Sequence, residues 1–302
     1  MRKTVKKGGT DSISKALTGF AGKNPHIIFL TPSFIGILIF VLLPFVDVCR
    51  RSFLLSVTKE FNGINNYKQI FQSDAFLLAV KNTVRFTAVC IPLLVILGLC
   101  VALALSSLKH AQMIKTMYLL PMAMPTATIV IVWKMIFYRQ GFLNAFLTRF
   151  GEATGWFGTV QMDYLASGAS FWVLVGSYIW KNMGYTVILW LAGLWGISGE
   201  MIEAAKVDGA GKMQCFFRIK LPNLKGSLYI IVILSFLNSF KIYREAYLVA
   251  GSYPQEKIYM LQHLFNNWYV NLELDKMAAA AVCTGTVLFF LIILLQRLWD
   301  ES

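Results

Sequence analysis

Six stretches of the chain are almost wholly apolar and each is about as long as a bilayer is thick: 27–47, 83–105, 117–138, 170–193, 227–248 and 278–298. A hydrocarbon core of about 30 Å is crossed by a helix of about 20 apolar residues. A backbone in hydrocarbon must also satisfy its own hydrogen bonds, which leaves helices as the simplest solution. The pattern therefore predicts an all-α, polytopic membrane protein with six spans. Pro32, Pro44, Pro92, Pro121 and Pro125 fall within or near these stretches, where neighbouring helices tolerate them as kinks. No small-residue cleavage pattern follows the first stretch, so it reads as a retained span and not as a signal peptide. The domain reading is a basic tail over 1–26, a transmembrane domain over 27–298 and a short C-terminus over 299–302.

Between the fourth and fifth spans, residues 194–226 form the longest charge-bearing run in the second half of the chain. Ser198 is placed to cap a helix carrying Glu200 and Glu203 early, where carboxylates favour the helix dipole. Met201, Ile202, Ala204 and Ala205 are good or fair helix formers. Asp208-Gly209 is a stop and turn signal. A second short helix is expected from Lys212 to Ile219, ending before Pro222. Such a helix–turn–helix at the membrane face is suited to insert into a groove on another protein; composition alone also fits a solvated loop. Of the other connections, 48–82 reads as a small folded excursion with a turn at Phe61-Asn62-Gly63. Trp156 and Tyr164 in 139–169, and Trp268-Tyr269 in 249–277, read as an interfacial aromatic belt or as ligand contacts.

Composition changes this picture little. The chain is 57% hydrophobic with mean hydropathy +0.61, too apolar for a soluble domain with a solvated surface. Its net charge of +13 reads as cytoplasmic-loop lysine and arginine, and no nucleic-acid-binding pattern accompanies it. Six spans put both ends on one side. The segments sharing that side hold 14 Lys and Arg, counting Arg297 at the end of the last stretch, and the opposite set 9. Arg2, Lys3, Lys6, Lys7, Lys15 and Lys23 dominate, so both termini and the Glu203 loop are expected in the cytoplasm. Arg50, Arg51 and Lys81 run against the rule. Five cysteines without a CxxC pair and three scattered histidines give neither a disulfide framework nor a zinc site.

Candidate chemistry is sparse. No GxxxxGK[ST] phosphate loop is present, since Gly211-Lys212 is followed by Met213 and lacks the upstream glycine. No nucleophile–base arrangement points to an enzyme. Charges within spans default to functional hypotheses: Lys134 near one end of the third span, which has the reach to snorkel outward, and Lys181 about halfway along the fourth. Ser235, Asn238, Ser239 and Ile242 share one face of the fifth span. That polar stripe fits either a translocation path or hydrogen bonds between helices. Lys241 and Glu245 have the spacing of a pair within one helix, with Arg244 beside them.

The spacing Glu203-Ala204-Ala205, three residues, Gly209, nine residues, Ile219, one residue, Leu221-Pro222 resembles the cytoplasmic "EAA loop" of permease subunits in binding-protein-dependent ABC importers. One departure is Gly226, where that family often has a second proline. Leu30-Thr31-Pro32 through Leu43-Pro44-Phe45, Asn66-Tyr67, Asn82-Thr83 and Trp133-Lys134 look like the larger permease of maltose-type sugar transporters. Ala250-Gly251-Ser252-Tyr253-Pro254 departs from the glycine-rich run common there. The resemblance implies a multi-pass permease of the bacterial cell membrane that is not itself catalytic. It implies a second permease subunit, two ATPase subunits that bind ATP and Mg, and an extracytoplasmic solute-binding protein. ATPase coupling would fall on Glu203, Ala204, Ala205, Asp208, Gly209, Ala210, Ile219, Leu221 and Pro222. Carbohydrate contacts would fall on Ser235, Asn238, Ser239, Lys241 and Tyr243. A neutral oligosaccharide ranks first; Lys241 and Arg244 make an acidic one the second reading. The rival is a secondary carrier or channel with its own ion site, for which the spans offer only Asp47 and Glu245.

Overall fold

The computed structural model describes residues 25–106 and 112–300. The basic tail and the turn around Lys109, on which the charge-based orientation rests, lie outside the described residues. The described chain is helical, and among those residues the one β contact is an isolated bridge between Leu54 and Phe61. The chain divides into two compact units: residues to Tyr67 with Leu274–Thr284, and Lys68–Glu273 with the chain from Gly285.

In the first unit, helix α1 runs as α-helix over Pro25–Ile37, widens to a π turn over Leu38–Leu42 and returns to α-helix over Leu43–Arg51. The cause is Pro44. Its ring cannot donate to, and collides with, the carbonyl four residues back, so the turn before it widens and the Leu43 N–H reaches Leu38 O instead. The Leu30–Arg51 portion is long and apolar enough to cross a membrane, and none of it is buried within the chain. Phe34 and Phe40 are largely exposed, so lipid or another subunit must cover this face. Beyond it the excursion is folded. Asn66, fully buried, donates through Nδ2 to Ser52 O (3.0 Å) and Leu54 O (2.9 Å). A small hairpin is closed by Leu55 N to Glu60 O at 2.9 Å and Asn62 N to Phe53 O at 2.8 Å. Ser56 Oγ accepts the Asp275 N–H at 2.8 Å, which caps the last long helix, Leu274–Asp300.

Short α2 (Asn65–Gln72) begins in the first unit and leads into α3 (Asp74–Ser106) of the second. α3 starts nine residues before the expected apolar stretch, because polar residues such as Lys81 and Asn82 end a hydrophobic run without ending a helix. The third apolar stretch, 117–138, is not one continuous helix. Instead α4 (Gln112–Ala123) and α5 (Thr126–Phe137) are separated at Met124-Pro125. The helical runs Met117–Ala123 and Thr126–Thr154 are bent by 107°. Pro125, at ψ 138°, cannot continue the ladder, and the residue before a proline is driven away from the helical region.

A further helix, α6 (Phe142–Thr154), follows in a segment where no helix was expected. α7 (Ser170–Trp195) falls where the fourth span was placed. It packs on α3 through Phe86, Cys90 and Leu94 against Phe171, Val175 and Tyr178, all buried. Nearer its other end, Trp190 Nε1 donates to Val95 O at 3.2 Å. α4 lies so close to α7 that a Cβ at Gly184 would collide with the Tyr118 carbonyl.

The polar element follows as α8 (Gly199–Val207) and α9, which runs Lys212–Cys215, a π turn Phe216–Lys220 and Leu221–Asn223. Pro222 does not end α9 as expected. It widens the preceding turn as Pro44 does, with the Leu221 N–H reaching Phe216 O. The fifth span is α10 (Lys225–Ser239), a 3₁₀ turn at Phe240–Ile242 and α11 (Tyr243–Ala250). Helices α12 (Leu261–Val270) and α13 (Leu274–Asp300) complete the chain. Among the described residues four helices qualify as membrane spans by length and apolarity, rising to six if the bent runs Met117–Ala123 with Thr126–Thr154 and Ser170–Trp195 with Gly199–Val207 each count as one.

Candidate functional site

The α8–α9 turn is built residue by residue from its own hydrogen bonds. Ser198 Oγ accepts the Met201 N–H at 3.3 Å and starts α8. At the other end Ala210 N donates to Ala205 O (2.9 Å) and Gly209 N to Lys206 O (3.0 Å). These two bonds form a Schellman closure, which needs a left-handed residue at its centre. Gly209 supplies it at φ +84°. Gln214 Oε1 then accepts the Gly211 N–H at 2.9 Å and fixes the start of α9. Asn223 Nδ2 donates to Ile219 O at 2.7 Å near the end of that helix.

This closure gathers Ala205, Asp208, Gly209, Ala210 and Ile219 around one open pocket, with Gln214 and Arg218 completing its lining. Glu203 and Ala204 are exposed on α8, Leu221 is half-buried, and Pro222 is exposed at the far end of α9. Val207, Met213 and Phe217 are exposed apolar residues of the same element, with Val207 at 88%. They were not singled out from the sequence, although three large apolar side chains in a charged loop were the available signal. A polar helix pair with an apolar crest and a pocket at its turn has the form of a plug for another protein's groove.

The fifth span places its candidates unevenly. Ser235 is fully buried: its Oγ and the Tyr185 hydroxyl lie 2.9 Å apart, and its carbonyl accepts the Tyr178 hydroxyl at 2.5 Å. Ser239 is buried against Thr87, hydroxyl to hydroxyl at 3.2 Å. Both therefore tie α10 to its neighbours α3 and α7 in this conformation. Asn238 and Tyr243 are half-buried and Lys241 is exposed. Lys241 Nζ donates to Asn238 Oδ1 at 2.8 Å.

The expected Lys241–Glu245 pair is not formed. The 3₁₀ turn at Phe240–Ile242 breaks the 3.6-residue period that would align the two side chains. Glu245 is instead buried and paired with Lys181 of α7, Nζ to Oε1 at 2.5 Å. Lys181 Nζ also reaches Thr126 Oγ1 at 3.4 Å, at the first residue of α5 just past the break. Glu245 Oε2 is buried without a hydrogen-bond partner. Sequence reading noted both charges separately. Nothing in it reports that they meet across two helices 64 residues apart in the chain. The pair leaves Glu245 neutralised, where an ion-coupled carrier would need a carboxylate free to exchange its charge.

Beyond the end of α11, α12 holds His263, fully buried with its ring edge-on to Tyr243 at 4.8 Å between centroids. Its Nδ1 accepts the Met260 N–H at 3.2 Å. Burial lowers its pKa to about 4. Because the unfolded chain binds this proton at ordinary histidine pH and the folded one does not, the stabilising contribution is complete above about pH 6.5. It falls away as pH drops toward 4, by on the order of 3 kcal/mol in all. Thermal unfolding of the purified protein across that window should show this decline, and a His263→Leu variant should show a flatter one.

Residues 94–302 match the family described as binding-protein-dependent transport system inner membrane component. Among curated proteins, the osmoprotective compounds uptake permease protein GgtC of Synechocystis is 25% identical over 249 residues, covering 79% of this chain and 87% of that protein. The trehalose/maltose transport system permease protein MalF of Thermococcus litoralis is 29% identical over 249 residues, covering 80% and 82%. Among solved structures, a bacterial ABC transporter involved in import of the acidic polysaccharide alginate has a chain that aligns with TM-score 0.79 at 19% identity, over 95% of this chain and 99% of that one.

Proposed function

Since the chain belongs to the family of binding-protein-dependent transport system inner membrane components, we propose how it serves an ATP-driven importer: as one of two unlike permease subunits, with α8 and α9 docked on an ATPase subunit. The carried solute is an oligosaccharide delivered by an extracytoplasmic binding protein. A relative named for trehalose and maltose transport supports that class, and one named for import of the monosaccharides xylose and arabinose supports a sugar more broadly. ATP and Mg are bound by two partner ATPase subunits. Both termini and the Glu203 loop face the cytoplasm, and six spans cross the membrane.

The observation that carries this reading is the α8–α9 element itself. Its Schellman turn makes a short, internally fixed lever between two long helices, α7 and α10. ATP-driven closure of the ATPases would push on that lever, and the inward- and outward-open states would exchange as a population shift set by ATP's differential affinity for them. Lys181, Glu245 and Thr126 lie where α5, α7 and α11 meet, so such a push would pass through them.

The pairing is tested by reconstitution. Liposomes holding this chain, the ATPase, the binding protein and the second permease should accumulate labelled oligosaccharide on addition of ATP. Those lacking the second permease should not. Equal uptake without it would show that the chain works as a homodimer.

A further inference from the structure

A second polar site lies in the segment 139–169, away from the fifth-span stripe. α6 and the returning chain at Thr159–Gln161 enclose an open pocket lined by Arg139, Arg149, Glu152, Gln161, Thr148 and Asn144, among others. Asn144, Thr148 and Glu152 follow at i, i+4 and i+8, so one face of α6 forms a wall. Thr148 Oγ1 accepts the Val160 N–H at 3.0 Å and fixes the opposite wall.

Asn144 is 97% buried by its exposure of 3%. Its Nδ2 donates to three carbonyls, Tyr138 O at 3.3 Å, Arg139 O at 2.9 Å and Met162 O at 2.7 Å. Its Oδ1 is buried and without a hydrogen-bond partner. The two guanidiniums make no ion pair among the described residues, and Arg139 Nη2 reaches only Gln161 Oε1 at 3.5 Å. The lining therefore holds two cations against one carboxylate.

From this geometry we propose that the pocket binds a carboxylate-bearing sugar, with Arg139 and Arg149 on the carboxylate. Guanidinium forks match a planar carboxylate, and the amide and hydroxyl groups of Gln161 and Thr148 match sugar hydroxyls as donors and acceptors. The proposal rests on the importer reading in one respect: that reading puts 139–169 on the extracytoplasmic side, which makes the pocket a capture site for the solute before translocation. It also selects the acidic class of oligosaccharide over the neutral one.

Binding is measured on the purified permease–ATPase complex in detergent, without nucleotide and without binding protein. A uronate trisaccharide, its methyl ester and maltotriose are titrated and followed by saturation-transfer NMR and calorimetry. The wild type should bind the uronate at least tenfold more tightly than the ester or maltotriose. Arg139→Gln/Arg149→Gln should remove that preference. Both arginines are exposed, so the double variant should elute and unfold as the wild type does; Arg139→Lys/Arg149→Lys, which keeps the charge, should recover part of the preference if it does not. No preference in the wild type, or an unchanged preference in the glutamine variant, overturns the site. Uptake in liposomes separates the two readings. Uronate binding without any ATP-driven uptake would sink the importer reading alone, and uptake without pocket binding would sink the capture site alone.

Discussion

Glu203→Lys should lower ATP-driven uptake by about 30-fold or more while leaving the protein folded and inserted. Glu203 is exposed on α8 and makes no hydrogen bond or ion pair among the described residues, so folding has little to lose from its replacement. A carboxylate paired across a docked interface is different. Removing one partner of a hydrogen-bonded charge pair there costs about 2–5 kcal/mol, and each 1.4 kcal/mol is about tenfold in affinity. Gly209→Ala should act through the other half of the element. Its φ of +84° is open to alanine only at a cost of about 1 kcal/mol or more, and the Schellman bonds that aim α9 depend on it. Uptake should fall less than for Glu203→Lys. Membrane-inserted amount and unfolding temperature, measured beside uptake, separate docking from misfolding. Normal uptake by both variants would remove the coupling role from α8.

The buried pair should give the largest effect on stability. Glu245→Leu alone leaves Lys181 without its counter-charge, and Lys181→Met alone leaves Glu245 buried and unpaired. Losing one partner of a buried ion pair costs about 3–5 kcal/mol, whereas replacing both by apolar groups is often neutral. Each single variant should therefore unfold at markedly lower temperature in detergent, and Lys181→Met/Glu245→Leu should recover most of the loss. The pair also joins α7 and α11 to Thr126 at the start of α5. The double variant should consequently be stable but slower in transport, because the bend after Pro125 loses its brace. A double variant as unstable as the sum of the singles would mean that Lys181 and Glu245 act independently.

These two sites differ in how far the sequence disclosed them, and the reason is physical. The α8–α9 element is local. Its cap, its stop at Asp208-Gly209 and the spacing from Glu203 to Pro222 all act over twenty residues, so the order of residues carries the geometry. The Lys181–Glu245 pair is not local. Apolar periodicity places both helices but not which faces meet, and the 3₁₀ turn that frees Glu245 from Lys241 follows from packing. The same limit applies to the spans. Apolar runs located α7 and the start of α1 closely, yet they could not distinguish one straight third span from two helices bent at Pro125. Hydropathy also missed α6 and α12, which are amphipathic helices in segments too polar to register as spans. Prolines misled in the other direction: Pro44 and Pro222 each produced a π turn within a continuing helix where a stop was the simpler expectation for Pro222.

The central claim is that α8 and α9 couple this chain to an ATPase. The most direct test is ATP hydrolysis by the affinity-purified assembly, with and without sugar-loaded binding protein, for the wild type and for Glu203→Lys. The ATPase should co-purify with the wild type, and its hydrolysis should rise severalfold when the loaded binding protein is added. With Glu203→Lys the ATPase should be lost or the stimulation absent. The contradicting result is a chain that purifies without any ATPase and drives uptake on an ion gradient that an uncoupler abolishes.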